Sequence, residues 1–295
     1  MSGLIDRAYG LWETALAEPR DLLVLRFTLL LLLLDATHAA SFVVPLRILC
    51  GSMLVFGRLT RNRWLWTALA GTLGAHTLQG YWTIDNHQFL IAYWTLACAL
   101  ACWSRDADRV LCANARLLTA LVFVFATAWK LLGGAYLDGS FFTHELLLDP
   151  RFAALAHLTT GIEQGALDYN REMARMLTTF PEGGIIVKIA SAGAVTTVAR
   201  ALSYATILIE GSVAVAFLAA LRKPGSEVAD WLLIAFIVTT YTLTPVIGFG
   251  VVLTILGFAQ CPVDRTQTRC GYLWTFVLVQ FALLSQTDTL AQLLS

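Results

Sequence analysis

Charged side chains interrupt long apolar runs of this sequence at Arg26, Asp35, Arg47, Arg116, Lys130 and Glu210. An ionised group in hydrocarbon costs several kcal/mol, so such residues face a partner or a wet cavity and are functional candidates from the outset. Lys130 and Glu210 carry complementary chemistry. Burial can turn a lysine amine into a base, and a nearby carboxylate can pair with it. An ion pair between them is possible, although their places in the two runs set them about two helical turns apart in depth. Snorkelling of Lys130 to an interface, and a structural hydrogen bond from Glu210, are the plain alternatives. His87 follows Asp85 and Asn86 at the start of another run, where Asp85 or Asn86 caps a helix. A histidine there titrates near neutrality or simply packs. His38 and His76 also lie near the ends of apolar runs. His144 and Glu145 stand in the long connecting segment, either approaching the same face or serving as solvated loop polarity. Arg26 and Asp35 are separated by roughly 13 Å along a helix axis and cannot pair with each other. Arg47 and Arg116 suit structural or headgroup contacts.

The elements that must position these groups follow from composition. The chain of 295 residues is 58% hydrophobic and only 14% charged, against roughly 25% charged in an ordinary soluble domain. Its mean hydropathy is +0.69. This excludes a disordered chain and most soluble folds. Lys+Arg and Asp+Glu balance at 20 each, so no bulk field draws in nucleic acid. The reading is an all-α polytopic integral membrane bundle of eight or nine spans, with the lipid bilayer as its first partner. A crossing helix needs about 20 apolar residues. Candidate spans run near 21–40, 42–57, 64–82, 87–103, 111–132, 196–221, 229–244, 246–261 and 273–289. Pro245, Gly248 and Gly250 split 229–260 into two crossings, because proline lacks a donor and clashes with the preceding turn.

Residues 1–20 read as an interfacial helix, with Leu4, Ala8, Leu11, Trp12 and Ala15 near one face. Their charges, among them Asp6, Arg7 and Glu13, leave no apolar core for a cleavable signal peptide. Spans one to five occupy 21–133, an external segment with short helices 134–195, and the remaining spans 196–295. Basic residues cluster at Arg7 and Arg20, at Arg58, Arg61 and Arg63, at Arg105 and Arg109, at Arg222 and Lys223, and at Arg265 and Arg269. They share the cytoplasmic side when the N-terminus is inside and the C-terminus outside. Cys98 and Cys102 share a helix face, as a redox or metal pair or as packing, and no doubled C-x-x-C zinc spacing is present. No metal site is expected.

The order of the segments EPRDLLVLRFTLLLLLLD, IDNHQFLIAYWTLACAL, FATAWKLLGGAYLDGSFF and SYATILIEGSVAVAFL resembles the horizontally transferred transmembrane domain (HTTM) superfamily. That group includes the membrane domain of vitamin K-dependent γ-glutamyl carboxylase. The resemblance spans roughly residues 15–262. It implies a reduced quinone as cofactor, whose oxidation supplies a strong base that takes a proton from a glutamate of a peptide. By position, Lys130 matches the region of the initiating lysine, Asn86 and His87 match an Asn-His pair in the cofactor region, and Glu210 matches a membrane glutamate of the wider superfamily. The carboxylase has two adjacent lysines where this chain has Trp129-Lys130-Leu131, and it carries a large luminal domain for which 295 residues leave no room.

Three functions remain open at this point. Lys130, His87 and Glu210, in one cavity, would make a membrane-embedded enzyme modifying a peptide or a lipid-soluble substrate. The small and aromatic residues of the runs would equally suit a non-catalytic subunit packed against other membrane proteins. The interrupted stretch at Pro245–Gly250 resembles a transporter's broken helix. On the nine-span chain, a C-terminal reporter active only in the cytoplasm is expected to be silent. A reporter that works there removes one span.

Overall fold

The computed structural model describes residues 16–34, 40–179, 188–223, 227–243 and 247–286. Among them the regular elements are helical, with no strand. Arg20–Leu34 (α1), Ala40–Val55 (α2), Arg63–Gln79 (α3), Asn86–Trp103 (α4) and Ala107–Leu132 (α5) come first. Ser140–Leu148 (α6), a 3-10 turn at Pro150–Phe152, Ala153–Thr160 (α7) and Gln164–Thr179 (α8) follow. Val195–Arg222 (α9), Glu227–Leu243 (α10), Ile247–Gln260 (α11) and Thr266–Gln286 (α12) complete the chain. Over the described residues, each apolar run of the sequence overlaps one of α1–α5 or α9–α12. Two of them, α5 and α9, are long and apolar enough to cross a membrane. Leu4 to Ala15, Asp35, His38, Pro181, Gly183, Gly184, Pro245 and residues 287–295 lie outside the described residues.

Local chemistry sets the helix ends. Asn62 Oδ1 accepts from the amides of Trp64 and Leu65 at 3.0 and 3.3 Å, and Asp106 Oδ1 accepts from the Arg109 amide at 3.0 Å. These satisfy donors that the first helical turn leaves open. Gly139 precedes α6 with φ 83°. A Cβ there would lie 2.8 Å from Arg200 Cγ of α9, so glycine is required both for the left-handed backbone and for the close approach.

The bundle is organised around α11. Val251, Val252, Leu253, Ile255, Leu256, Phe258 and Ala259 are all buried, which leaves this helix no exposed stripe. The cause is enclosure: α11 is packed against α1, α4, α5, α10 and α12. Phe27 of α1 meets Phe258 edge-on with centroids 5.7 Å apart, and Phe123 of α5 meets Phe236 of α10 at 4.8 Å. Thr28 lies in this core, donating to Val24 O at 2.8 Å and accepting from Trp94 Nε1 at 2.9 Å. Cys98 Sγ stands 3.9 Å from the same hydroxyl, so this cysteine packs against a threonine.

The segment between α5 and α9 has a small core of its own. Phe142, Leu146, Leu147, Phe152, Ala156, Ile162 and Leu167 close over Val195 and Ala199, the outer turns of α9. Asn170 fastens the return strand of chain, its side chain exchanging 2.8 Å hydrogen bonds with the amide and carbonyl of Ala190. The tip of this cap is held to α9 by Tyr204, whose hydroxyl donates to Leu137 O at 3.3 Å.

Gly257 sits where α11 and α12 touch. A Cβ at this position would fall 2.1 Å from Tyr272 Cε1. The ring cannot withdraw, because it is fully buried and its hydroxyl donates to Asp230 Oδ1 at 2.8 Å. Gly257→Ala is therefore expected to cost about 1–3 kcal/mol by overpacking, read as a lower melting temperature in detergent. Adding Tyr272→Leu should bring less than the sum of the two losses.

Candidate functional site

Lys130 lies in the last turn of α5 and Glu210 in the middle of α9. Lys130 Nζ donates to Glu210 Oε2 at 2.6 Å, with side chains only 12% and 10% exposed. The difference in depth expected from the sequence is absent, for a physical reason. The outer turns of α9 are used up in the cap, through Val195, Ala199 and Tyr204, and this lowers the mid-helix carboxylate to the level where α5 ends. The two helices are closely apposed here: a Cβ on Gly211 would meet Thr127 Cγ2 at 3.6 Å.

Three further groups surround the pair. The Tyr136 ring lies 5.0 Å from Lys130 Nζ, close enough for its π face to attract the ammonium. That ring is stacked on Phe141 with centroids 4.3 Å apart. Burial, and then the carboxylates of Glu210 and Glu145, push the Tyr136 phenol above its ordinary value and keep it a donor. Thr127 and Ser203 stand one and two turns from Lys130 and Glu210 on the same helix faces. Their hydroxyl oxygens are buried without a hydrogen-bond partner, and buried polar groups left this way call for an explanation. Tyr241 of α10 is within electrostatic reach of Glu210.

His87 is placed elsewhere. It is buried against the first turn of α11, where a Cβ on Gly248 would lie 2.7 Å from its Cδ2. Tyr241 holds the corresponding position at Gly250, with Cδ2 3.0 Å from a Cβ. Positions two apart on a helix point about 200° from each other. His87 and the Tyr241–Glu210 side of the site are thus separated by the body of α11. Asn86, at the start of α4, is exposed. Asp85 takes the N-cap position without a side-chain cap bond and stands within electrostatic reach of Arg151 in the cap.

His144 and Glu145 pair with each other at 3.2 Å in the cap. Burial, and next the neighbouring Asp149, raise the Glu145 carboxyl. Asp149 moves the other way: burial opposes ionisation, and the Arg151 guanidinium at 2.5 Å overcomes it. Arg26 reaches back along α1 to Glu18, and Arg116 donates to Cys112 Sγ at 3.4 Å. No group of three or more His, Cys, Asp or Glu side chains arranged to hold a metal occurs among the described residues.

One groove of about 240 Å³ opens between α9 and α10, lined by Leu208, Ile209, Ser212, Phe236 and Thr239 among others. Phe236 is the one aromatic side chain among its lining residues. Glu210, however, projects about 200° from both Leu208 and Ser212, and so faces away from it. The Ser212 and Thr239 hydroxyls donate to Leu208 O and Ala235 O of their own helices, each at 2.7 Å. The groove therefore does not present a quinone to Lys130.

No known family model, curated protein or solved structure matches the chain. The sequence pointed to Lys130 and Glu210 but not to Tyr136, Thr127 or Ser203. Tyr136, six residues after Lys130 beyond a Gly-Gly turn, was the findable one, since the turn folds the chain back over the end of α5.

Lys130→Met alone would strand a buried carboxylate and is expected to cost about 3–5 kcal/mol. Lys130→Met combined with Glu210→Met should recover most of that loss in thermal melts. Additive losses would show that the two side chains do not depend on each other.

Proposed function

We propose that the chain is a polytopic integral membrane protein of eight or nine spans, related to the HTTM superfamily. We further propose that Lys130 and Glu210 form the proton-transfer centre of a membrane-embedded enzyme that modifies a peptide or a lipid-soluble substrate. The observation carrying this reading is the 2.6 Å Lys130–Glu210 contact, flanked by orphaned hydroxyls at Thr127 and Ser203. An ion pair removed from water gains little net stability, and hydrophobic side chains of similar size often do as well. Chemistry is the better account of its presence. Support for the topology comes from composition, from the clustering of basic residues, and from α5 and α9.

The chemistry follows from the short contact. One proton hop from Nζ to Oε2 turns the ion pair into a neutral amine beside a neutral acid. Low dielectric favours the uncharged arrangement more than water does. The free amine then serves as base or nucleophile. Tyr136 covers the amine from the cap side and offers a hydroxyl donor. Thr127 and Ser203 would hydrogen-bond a polar substrate group lying along the seam between α5 and α9. His87 takes no part in this scheme.

One observation favours the second reading, a non-catalytic subunit: the amine and carboxylate already satisfy each other and join α5 to α9. The two readings separate in a single experiment. Wild-type protein and the Lys130→Met/Glu210→Met variant are purified in mild detergent and their contents read by mass spectrometry. The enzyme reading expects a small molecule or peptide in the wild type and its loss from the variant. A stoichiometric set of partner chains, retained by both proteins with no small molecule in either, overturns it in favour of the subunit.

A further inference from the structure

The turn between α2 and α3 and the last turn of α4 form one corner of the bundle, at the end from which α5 starts towards the cap. The fully buried Trp66 fixes that turn. Its Nε1 donates to Thr60 O at 2.7 Å, and Thr60 Oγ1 donates to Met53 O at 2.8 Å. Asn62 caps α3, which therefore begins with Arg63 and Trp64, both exposed. Trp103 ends α4 beside them, its Nε1 donating to Thr67 Oγ1 at 3.0 Å. The two indoles meet edge-on with centroids 4.8 Å apart. The Arg63 guanidinium lies over the Trp103 ring at 4.2 Å and stands 5.8 Å from the Trp64 ring. An aromatic face attracts a guanidinium through its quadrupole and leaves the N–H donors in the guanidinium plane free for a second partner.

Other arginines at this end of the bundle already have their partners. Arg20 donates to Asp108 at 2.7 and 2.5 Å, Arg61 donates to Asp21 at 2.8 Å, and Arg265 lies 3.4 Å from Glu227. Arg269 is drawn inside over the Phe258 ring at 5.0 Å, its Nε and Nη2 buried without a hydrogen-bond partner. Arg58, Arg63, Arg105 and Arg109 differ. All four are exposed, and among the described residues none is paired with a carboxylate. Asp106, between the last two, turns Oδ1 to the Arg109 amide. Positive charge therefore stands uncompensated on the surface around Trp64 and Trp103. The same corner is apolar towards the middle of the bundle, where Val55, Phe56 and Trp64 are 78%, 62% and 63% exposed. A donor for one phosphate beside exposed indoles matches the level of a bilayer at which headgroups give way to acyl chains. A soluble anion would engage the arginine and leave the apolar edge in water.

We propose that Arg63, seated on Trp103, binds the phosphate of an anionic phospholipid, with Trp64 lying against its glycerol and first methylenes. The exposed charges of Arg58 and Arg105 disfavour the choline of a zwitterionic headgroup, and this is the basis of selection. The site is separate from the Lys130 centre and rests only on the membrane part of the reading above. In that topology it faces the cytoplasmic leaflet, whose lipids include the anionic ones.

Native mass spectrometry of the full-length protein in detergent, offered equal amounts of phosphatidylglycerol and phosphatidylcholine, tests it. The wild type is expected to retain phosphatidylglycerol with a preference of roughly tenfold, the size of one charge-assisted contact. Arg63→Gln should remove most of that preference. Arg222→Gln, which takes a charge from the end of α9 outside the cluster, should leave it unchanged. Glycerol phosphate in excess should fail to displace the lipid, because it offers nothing to the indoles. Equal retention of the two lipids by the wild type, or an undiminished preference in Arg63→Gln, overturns the proposal. So does an equal fall in Arg222→Gln, in favour of bulk charge, or displacement by glycerol phosphate, in favour of a free phosphate ester. Should Arg63→Gln fail to fold, the wild-type comparisons still decide. Failure of the membrane reading shows separately, as a chain that stays in the supernatant after high-speed centrifugation without detergent.

Discussion

The structure depends on the enclosure of α11. Every described position of α11 from Gly250 to Gln260 is buried, and the neighbouring helices cover it on all sides. α1, α5, α10 and α12 each present a face to it, and α4 reaches its first turn through His87. Glycines at 248, 250 and 257 let neighbouring rings approach its axis more closely than any side chain would permit. The same enclosure divides the chemistry of the molecule. His87 stands on one side of the first turn of α11, and Tyr241 with Glu210 stands on the other.

Much of the helical pattern was legible in the sequence, because apolar runs longer than a turn-rich soluble chain would tolerate have few alternatives to helix. Depth was not. Whether Glu210 and Lys130 share a level depends on how much of α9 the cap consumes, and that is settled by Phe142, Leu146 and Leu167 closing on Val195 and Ala199. Spacing along the chain carries no such information. Nor does lying at the same end of a bundle put His87 and Lys130 on the same side of the helix between them.

The arginines carry a related lesson. Read as a sequence, Arg265 and Arg269 mark the cytoplasmic side of a span by bulk bias. In the folded chain their environments differ. Arg265 bridges the exposed Glu227 and the buried Asp230, while Arg269 is drawn inward onto Phe258. The rule that counts positive charges sees two equal members of a cluster. Packing assigns one to its neighbours and leaves the other with donors to spare.

α9 belongs to two cores at once. Val195 and Ala199 are stitched into the cap, and Val213 and Phe217 into the bundle. Its 28 residues form one unbroken helix, so Glu210 sits on a rod whose outer handle is the cap, roughly 22 Å away at 1.5 Å per residue. Leverage follows from that shape. A ligand seated on α6 or α7 could alter the distance between carboxylate and amine without ever touching either.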